Sequence, residues 1–184
     1  MTTDYTPQDI AYSLMQRGWK PNAALGIAGN VARESNANSA AIGDAGTSFG
    51  YAQWHGPRGQ ALKQYAAQQG TQWHDPSAQL GFLEQEISPQ LRAQLNAAPD
   101  PGTAAHLFMT QYERPANQQV EGPARAQAAR QVASVFARLN PLATAEAAEP
   151  NTSRKLTFDE AVLQYERSIG GNPPAPAAAA EGRK

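Results

Sequence analysis

Apolar residues recur at helical spacing through most of this chain, and the pattern fails once, between residues 38 and 57. Residues 8–17 place Ile10, Leu14 and Met15 on one side, and Gly18 closes the segment. Pro21-Asn22 opens a second helix to about Asn36, with Leu25, Ile27, Ala28, Val31 and Ala32 on one face. Helical patterns resume over 58–69 and over 77–87, the latter with Leu80, Leu83 and Ile87 aligned. Ser88-Pro89 and Asp100-Pro101 each read as an N-cap followed by proline at the first helical position, where the missing N–H has no partner to lose. They start one helix through Leu95 and another carrying Ala104, Leu107, Phe108 and Gln111. The pattern over 123–139 predicts a last helix with Ala128, Val132, Val135, Phe136 and Leu139 on one stripe.

In the interrupted stretch Gly43, Gly46, Gly50 and Gly56 punctuate small, polar and aromatic residues. That is the signature of a structured loop or small irregular β-hairpin around 39–54, and it is where function is expected. The expected architecture is therefore mainly α, with six to eight helices and this hairpin beside them. One domain is predicted over residues 1–140. Residues 141–155 read as a linker of Ala, Glu, Thr and Pro. Residues 156–170 read as a further amphipathic helix, in which Thr157 and Glu160 match a capping box and Phe158, Ala161, Val162, Tyr165 and Ile169 share a face. An Ala/Pro-rich tail of low complexity occupies 171–184.

Composition narrows the function. Of 184 residues 41% are apolar and 17% charged, and no run approaches the roughly 18 apolar residues of a membrane span. The N-terminus, Met-Thr-Thr-Asp-Tyr, is polar and acidic, so no secretory signal is expected. The chain has no cysteine, and its histidines (His55, His74, His106) lack metal-ligand spacing, so neither disulfides nor a metal site is expected, and no cofactor is implied. A formal net charge of −1 argues against nucleic acid as a partner.

The chemistry points to Glu34. At 100° per residue it lies about 20° from Ile27 and about 60° from Val31, on the rim of the apolar stripe. A carboxyl group there is expected to be partly desolvated, which raises its pKa, and the negative end of the helix acts the same way. A glycosidase needs such an acid, still protonated when it meets the glycosidic oxygen. The bland alternative is a solvated helix-end glutamate. Asp44 is the next acidic residue; it suits either the base of an inverting enzyme, about 6.5–9.5 Å from the acid, or a simple Gly-Asp-x-Gly turn.

Glu34-Ser35, Gly43-Asp44, Ser48-x-Gly50-x-x-Gln53-Trp54 and Arg58 together resemble the phage tail lysozyme family, within the superfamily of goose-type lysozymes and lytic transglycosylases. Gln79-Leu80-x-Phe82-Leu83-x-x-Glu86 and Tyr112-Glu113-Arg114-Pro115 extend the resemblance, which covers roughly residues 8–139. It implies an α+β lysozyme-like fold in which the hairpin walls a cleft, and cleavage of peptidoglycan glycan strands by hydrolysis or transglycosylation with Glu34 as the acid. It implies that Ser48 and Gln53 line the cleft, with turn chemistry as their alternative. Tyr51 and Trp54 are expected either to stack on sugars or to plug the loop onto the core; His55 is expected along the cleft. The resemblance makes Tyr112 a candidate to reach the catalytic glutamate, against the alternative of a core tyrosine. Glu113 and Arg114 are expected to form a surface ion pair. A virion-borne enzyme that opens the host wall during infection, working in the periplasm and wall, is implied. A lysis-stage enzyme and a purely structural virion module are the alternatives, with residues 156–184 as the segment for docking other virion proteins.

Overall fold

A computed structural model of the chain describes residues 5–139, so the linker, the helix at 156–170 and the tail predicted beyond Pro141 lie outside the described residues. Among the described residues there are seven α-helices: α1 (Pro7–Gln16), α2 (Pro21–Ser35), α3 (Pro57–Gln68), α4 (Pro76–Glu86), α5 (Pro89–Asn96), α6 (Pro101–Phe108) and α7 (Gln118–Leu139). Proline at the first turn opens six of them. Thr6, Asp75, Ser88 and Asp100 cap α1, α4, α5 and α6 by accepting from backbone N–H groups that have no carbonyl partner in the helix. The chain is mainly α with a small β element, as its patterning predicts. None of the described helices is long and apolar enough to cross a membrane.

The helix α2 organises the core. The sequence suggests one apolar face, but every residue from Ala23 to Val31 is buried. Small residues make this possible. A Cβ on Gly26 would sit 2.6 Å from the Ala104 Cβ of α6, and one on Gly29 only 2.5 Å from the Ala129 backbone of α7. Both helices therefore approach α2 as closely as bare backbone permits. Ile27 and Val31 of this helix, and Ile10, Leu14, Leu80, Leu83, Leu95 and Phe108 of other helices, are fully buried, each contributing about 1.5–3 kcal/mol by leaving water.

Between α2 and α3 lies an antiparallel sheet of β1 (Ile42–Gly43), β2 (Ser48–Phe49) and β3 (Trp54–His55), in that order. Ile42 pairs with Phe49, Gly43 with Ser48, Ser48 with His55 and Phe49 with Trp54. Such short strands cannot hold themselves, and Gln79 of α4 anchors them. Its buried Oε1 accepts from the Tyr51 N–H at 2.8 Å, and its Nε2 donates to the carbonyls of Ser39 (2.7 Å) and Trp73 (3.0 Å). Gly50 lies so close to this amide that a side chain there would collide with it.

After α6 the chain makes a π-helical turn over Met109–Glu113, closed by the Arg114 N–H on the Met109 carbonyl at 2.7 Å, and Arg114 then turns left-handed with φ 53°. The last helix begins at Gln118, five residues before the predicted start, with Pro123 inside it. Its buried positions are Gly122, Arg125, Ala129 and Val132. Val132 lies on the expected stripe; the other three rotate the face so that an arginine enters the core.

Candidate active site

The last turn of α2 carries Glu34 and Ser35, and Asn36 ends the helix in the left-handed conformation. The Ser35 hydroxyl lies 3.2 Å from the Val31 carbonyl and donates to the Tyr51 carbonyl at 3.1 Å, fastening the sheet region to the end of the helix. The Glu-Ser pair thus has a division of labour: the serine ties down the loop, and the glutamate faces elsewhere.

Glu34 meets Arg125. The Arg125 Nη2 donates to Glu34 Oε1, and Nη1 donates both to Glu113 Oε2 and to Asn30 Oδ1, the last at 3.0 Å. Asn30 is itself held by donating to the Gly26 and Ala105 carbonyls. The Nε edge of Arg125 lies 3.6 Å from Glu121 Oε2, and Glu121 also pairs with Arg33 at 3.1 Å. Arg125 and Glu113 are 3% and 5% exposed at the side chain, whereas Glu34 is 23% exposed. Of the two carboxyl groups that accept hydrogen bonds from Arg125, Glu34 is the one that reaches solvent. Burial pushes the Glu113 carboxyl well above the usual carboxylate range; Arg125 opposes that shift, and the charge and hydrogen bond of Glu34 reinforce it.

These contacts correct three expectations. Glu34 is not a lone carboxyl at an apolar margin, because a buried guanidinium stands against it. Glu113 and Arg114 do not pair at the surface: Glu113 turns inward to Arg125, while Arg114 donates its Nε to the Gln111 carbonyl. Tyr112 does not reach Glu34. Its hydroxyl bonds Glu86 Oε2 at 2.5 Å, and the Trp54 Nε1 donates to both, at 2.8 Å to Glu86 and 2.9 Å to Tyr112. Arg58 completes this second cluster with two hydrogen bonds to Glu86, at 2.9 and 2.7 Å, and lies over the Tyr112 ring. Burial pushes the Glu86 carboxyl up, but hydrogen bonds from Arg58, Tyr112 and Trp54 outweigh it and leave Glu86 below its usual range.

The sheet residues divide. Tyr51 and Trp54 are fully buried, so neither ring offers a face to a sugar, and both take the plugging role. Trp54 packs edge-on to Phe82. Gln53, at a positive φ of 45°, donates its Nε2 to the Gly50 carbonyl and braces the turn. Ser48 is buried and donates to Asp44 Oδ2 at 2.5 Å. Asp44 and His55 are 70% and 65% exposed at the side chain, with His55 Nδ1 3.2 Å from the Ser48 hydroxyl, 3.1 Å from Thr47 Oγ1 and 3.7 Å from Asp44. The structure thus gathers Asp44, Ser48 and His55 into one polar group on the sheet, while Trp54 is buried in the core and Tyr112 is half-buried.

Arg125 is the functional-site residue that the sequence reading missed. Its signal was present, since Arg125, Ala129 and Val132 share one helical face. An arginine on a buried stripe demands a carboxylate partner.

A family model described as phage tail lysozyme matches residues 6–136. The chain belongs to the phage tail lysozyme family. No curated protein gives a significant match. The matched span takes in both arginine clusters and the sheet, and it ends three residues before the end of α7.

Proposed function

We propose that this phage tail lysozyme family member cleaves the glycan strands of peptidoglycan, with Glu34 as the general acid. The observation that carries this reading is the position of Glu34: it is the solvent-reaching one of the two carboxyl groups bonded to the buried Arg125, at the end of the central helix and next to the serine that fastens the sheet. A side chain so placed is held by Arg125 and still partly exposed to a substrate, as an acid catalyst requires. On this reading the glycan also meets the sheet, where Asp44 and His55 are exposed and the buried Ser48 holds Asp44 from behind. In a hydrolytic enzyme Asp44 activates the attacking water; in a transglycosylase a hydroxyl of the sugar attacks and Asp44 is dispensable.

The test is Glu34→Gln, which keeps shape and removes the acid. Wild type clears purified cell walls and the variant leaves them intact; equal clearing by both overturns the assignment. Product analysis then separates the chemistries, since reducing ends require hydrolysis and 1,6-anhydro ends require transglycosylation. We place the protein in the phage particle, acting on the wall and periplasm of the host, and its detection in purified particles tests that against a lysis-stage role. The Arg125 contact on Glu34 favours one second reading, a lysozyme-like module retained as a structural part of the particle. A wild-type protein that leaves cell walls intact selects that reading.

A further inference from the structure

Arg125 presents two terminal nitrogens, and each holds one carboxyl: Nη2 takes Glu34 Oε1 and Nη1 takes Glu113 Oε2. The two nitrogens share one carbon, so the two carboxyl groups are forced side by side at the same edge of the fork. One positive charge faces two negative ones. The remaining edge, Nε, is directed towards Glu121, whose charge is already partnered by Arg33. Among the described residues no other cation pairs with Glu34 or Glu113, and Asn30 is neutral and committed by its amide to two carbonyls. The second oxygen of Glu113 decides the matter. Oε1 is buried and has no donor within hydrogen-bonding distance. As part of a carboxylate it would be an unsatisfied anionic oxygen in the core; carrying a proton, it becomes a donor with Glu34 in reach.

The geometry points to Glu34 and Glu113 as one carboxyl pair that shares a single proton against Arg125, with Glu113 as the positioning residue for the acid. This rests on the reading of Glu34 as the acid and explains how it works beside an arginine. A lone carboxylate opposite Arg125 would stay ionised and have nothing to donate. With Glu113 present, the cluster is neutral only while one proton remains in the pair. In the reaction that proton passes through Glu34 to the glycosidic oxygen, the carbon–oxygen bond breaks with its electron pair going to that oxygen, and the pair is left doubly negative facing the positive charge on the sugar ring. The incoming nucleophile then forms the new bond to carbon: a sugar hydroxyl returns its proton to the pair, whereas an attacking water gives its proton to Asp44 and the pair regains one from solvent.

Two measurements on the full-length protein test this. The first is a carboxyl-carbon NMR titration, which needs no activity. The signals of Glu34 and Glu113 are expected to titrate together, the pair keeping one proton after the other carboxyl groups have ionised. Independent titration of both in the ordinary carboxylate range overturns the pair, whether or not the protein clears cell walls. The second is the pH profile of wall clearing for Glu113→Gln, which preserves shape and leaves Glu34 alone with Arg125. The alkaline limb is expected to move at least one pH unit towards acid, with kcat near neutral pH falling about tenfold and KM unchanged. A profile of wild-type shape and position overturns the role of Glu113. Coupled titration together with full clearing by Glu34→Gln means that the pair exists but the reading of Glu34 as the acid has failed.

Discussion

Two arginine clusters among the described residues differ in charge count and in depth: the Arg58 side chain is 40% exposed and that of Arg125 3%. Arg58 faces a single carboxylate, Glu86, whose oxygens also accept from the neutral donors Trp54 and Tyr112. Arg125 faces Glu34 and Glu113 directly and Glu121 at longer range. In the first cluster every oxygen of the glutamate has a donor and the charges cancel; the result is a clamp between α3, α4, β3 and the π turn. In the second, carboxyl groups outnumber cations and one buried oxygen lacks a donor. An arginine partner is common to both. Stoichiometry and depth together separate a structural ion pair from one able to hold and release a proton.

The largest test of that contrast is Arg125→Met. It strands two carboxyl groups and Asn30 without their donor, and should cost about 3–5 kcal/mol at neutral pH in urea unfolding. Arg58→Met leaves Glu86 with two donors and should cost about 1–3 kcal/mol. Equal losses would erase the distinction. Acidification should shrink the Arg125→Met deficit, because protonating Glu34 and Glu113 removes the unpaired charge, and should not restore Arg58→Met in the same way. Next comes Gly29→Ala, which forces apart α2 and α7, the two helices that carry Glu34 and Arg125. It should destabilise by about 1–3 kcal/mol and lower wall clearing per folded molecule. Glu86→Gln should cost about 1–2 kcal/mol while clearing per folded molecule persists, the reverse of Glu34→Gln.

The smallest effect lies in the pH dependence of stability. The Glu86 carboxyl is lowered from 4.5, so its contribution is present above that value and is lost as pH falls through its folded-state pKa. The Glu113 carboxyl is raised from 4.5, so the folded state binds its proton more tightly and stability declines as pH rises from there through the folded-state pKa. Glu86→Gln should flatten the acid side of the curve of Tm against pH, and Glu113→Gln the other side. A Glu113→Gln variant that keeps the alkaline decline removes Glu113 as its source.

Much of the fold was legible because helix starts are written locally. Ser88-Pro89 and Asp100-Pro101 announce α5 and α6, and the glycine-punctuated stretch announces the sheet to within a few residues. The start of α7 was not, because Pro123 reads as a beginning and is an interior residue. At the site, Glu34 and the Asp44 group could be named from spacing, but their partners could not. Trp54 and Tyr51 look alike whether they stack on a ligand or fill the core; the depth of the sheet region decides, and depth is a tertiary property. Glu113 was misread for a sharper reason. Its neighbour Arg114 offered a local partner, and nothing in the sequence announces that the turn between them widens to π geometry.

That turn has a consequence of its own. Neighbouring side chains on a helix diverge by about 100° or slightly less, and here the adjacent residues Tyr112 and Glu113 serve separate clusters, one holding Trp54 and Arg58 and the other holding Glu34. A single peptide unit is thus the hinge pin between the scaffold under the sheet and the acid at the helix end. Removing one residue from Met109–Glu113 would restore regular winding and pull one of the two anchors out of register. The register that this turn sets is the one in which Tyr112 meets Glu86 and Glu113 meets Arg125.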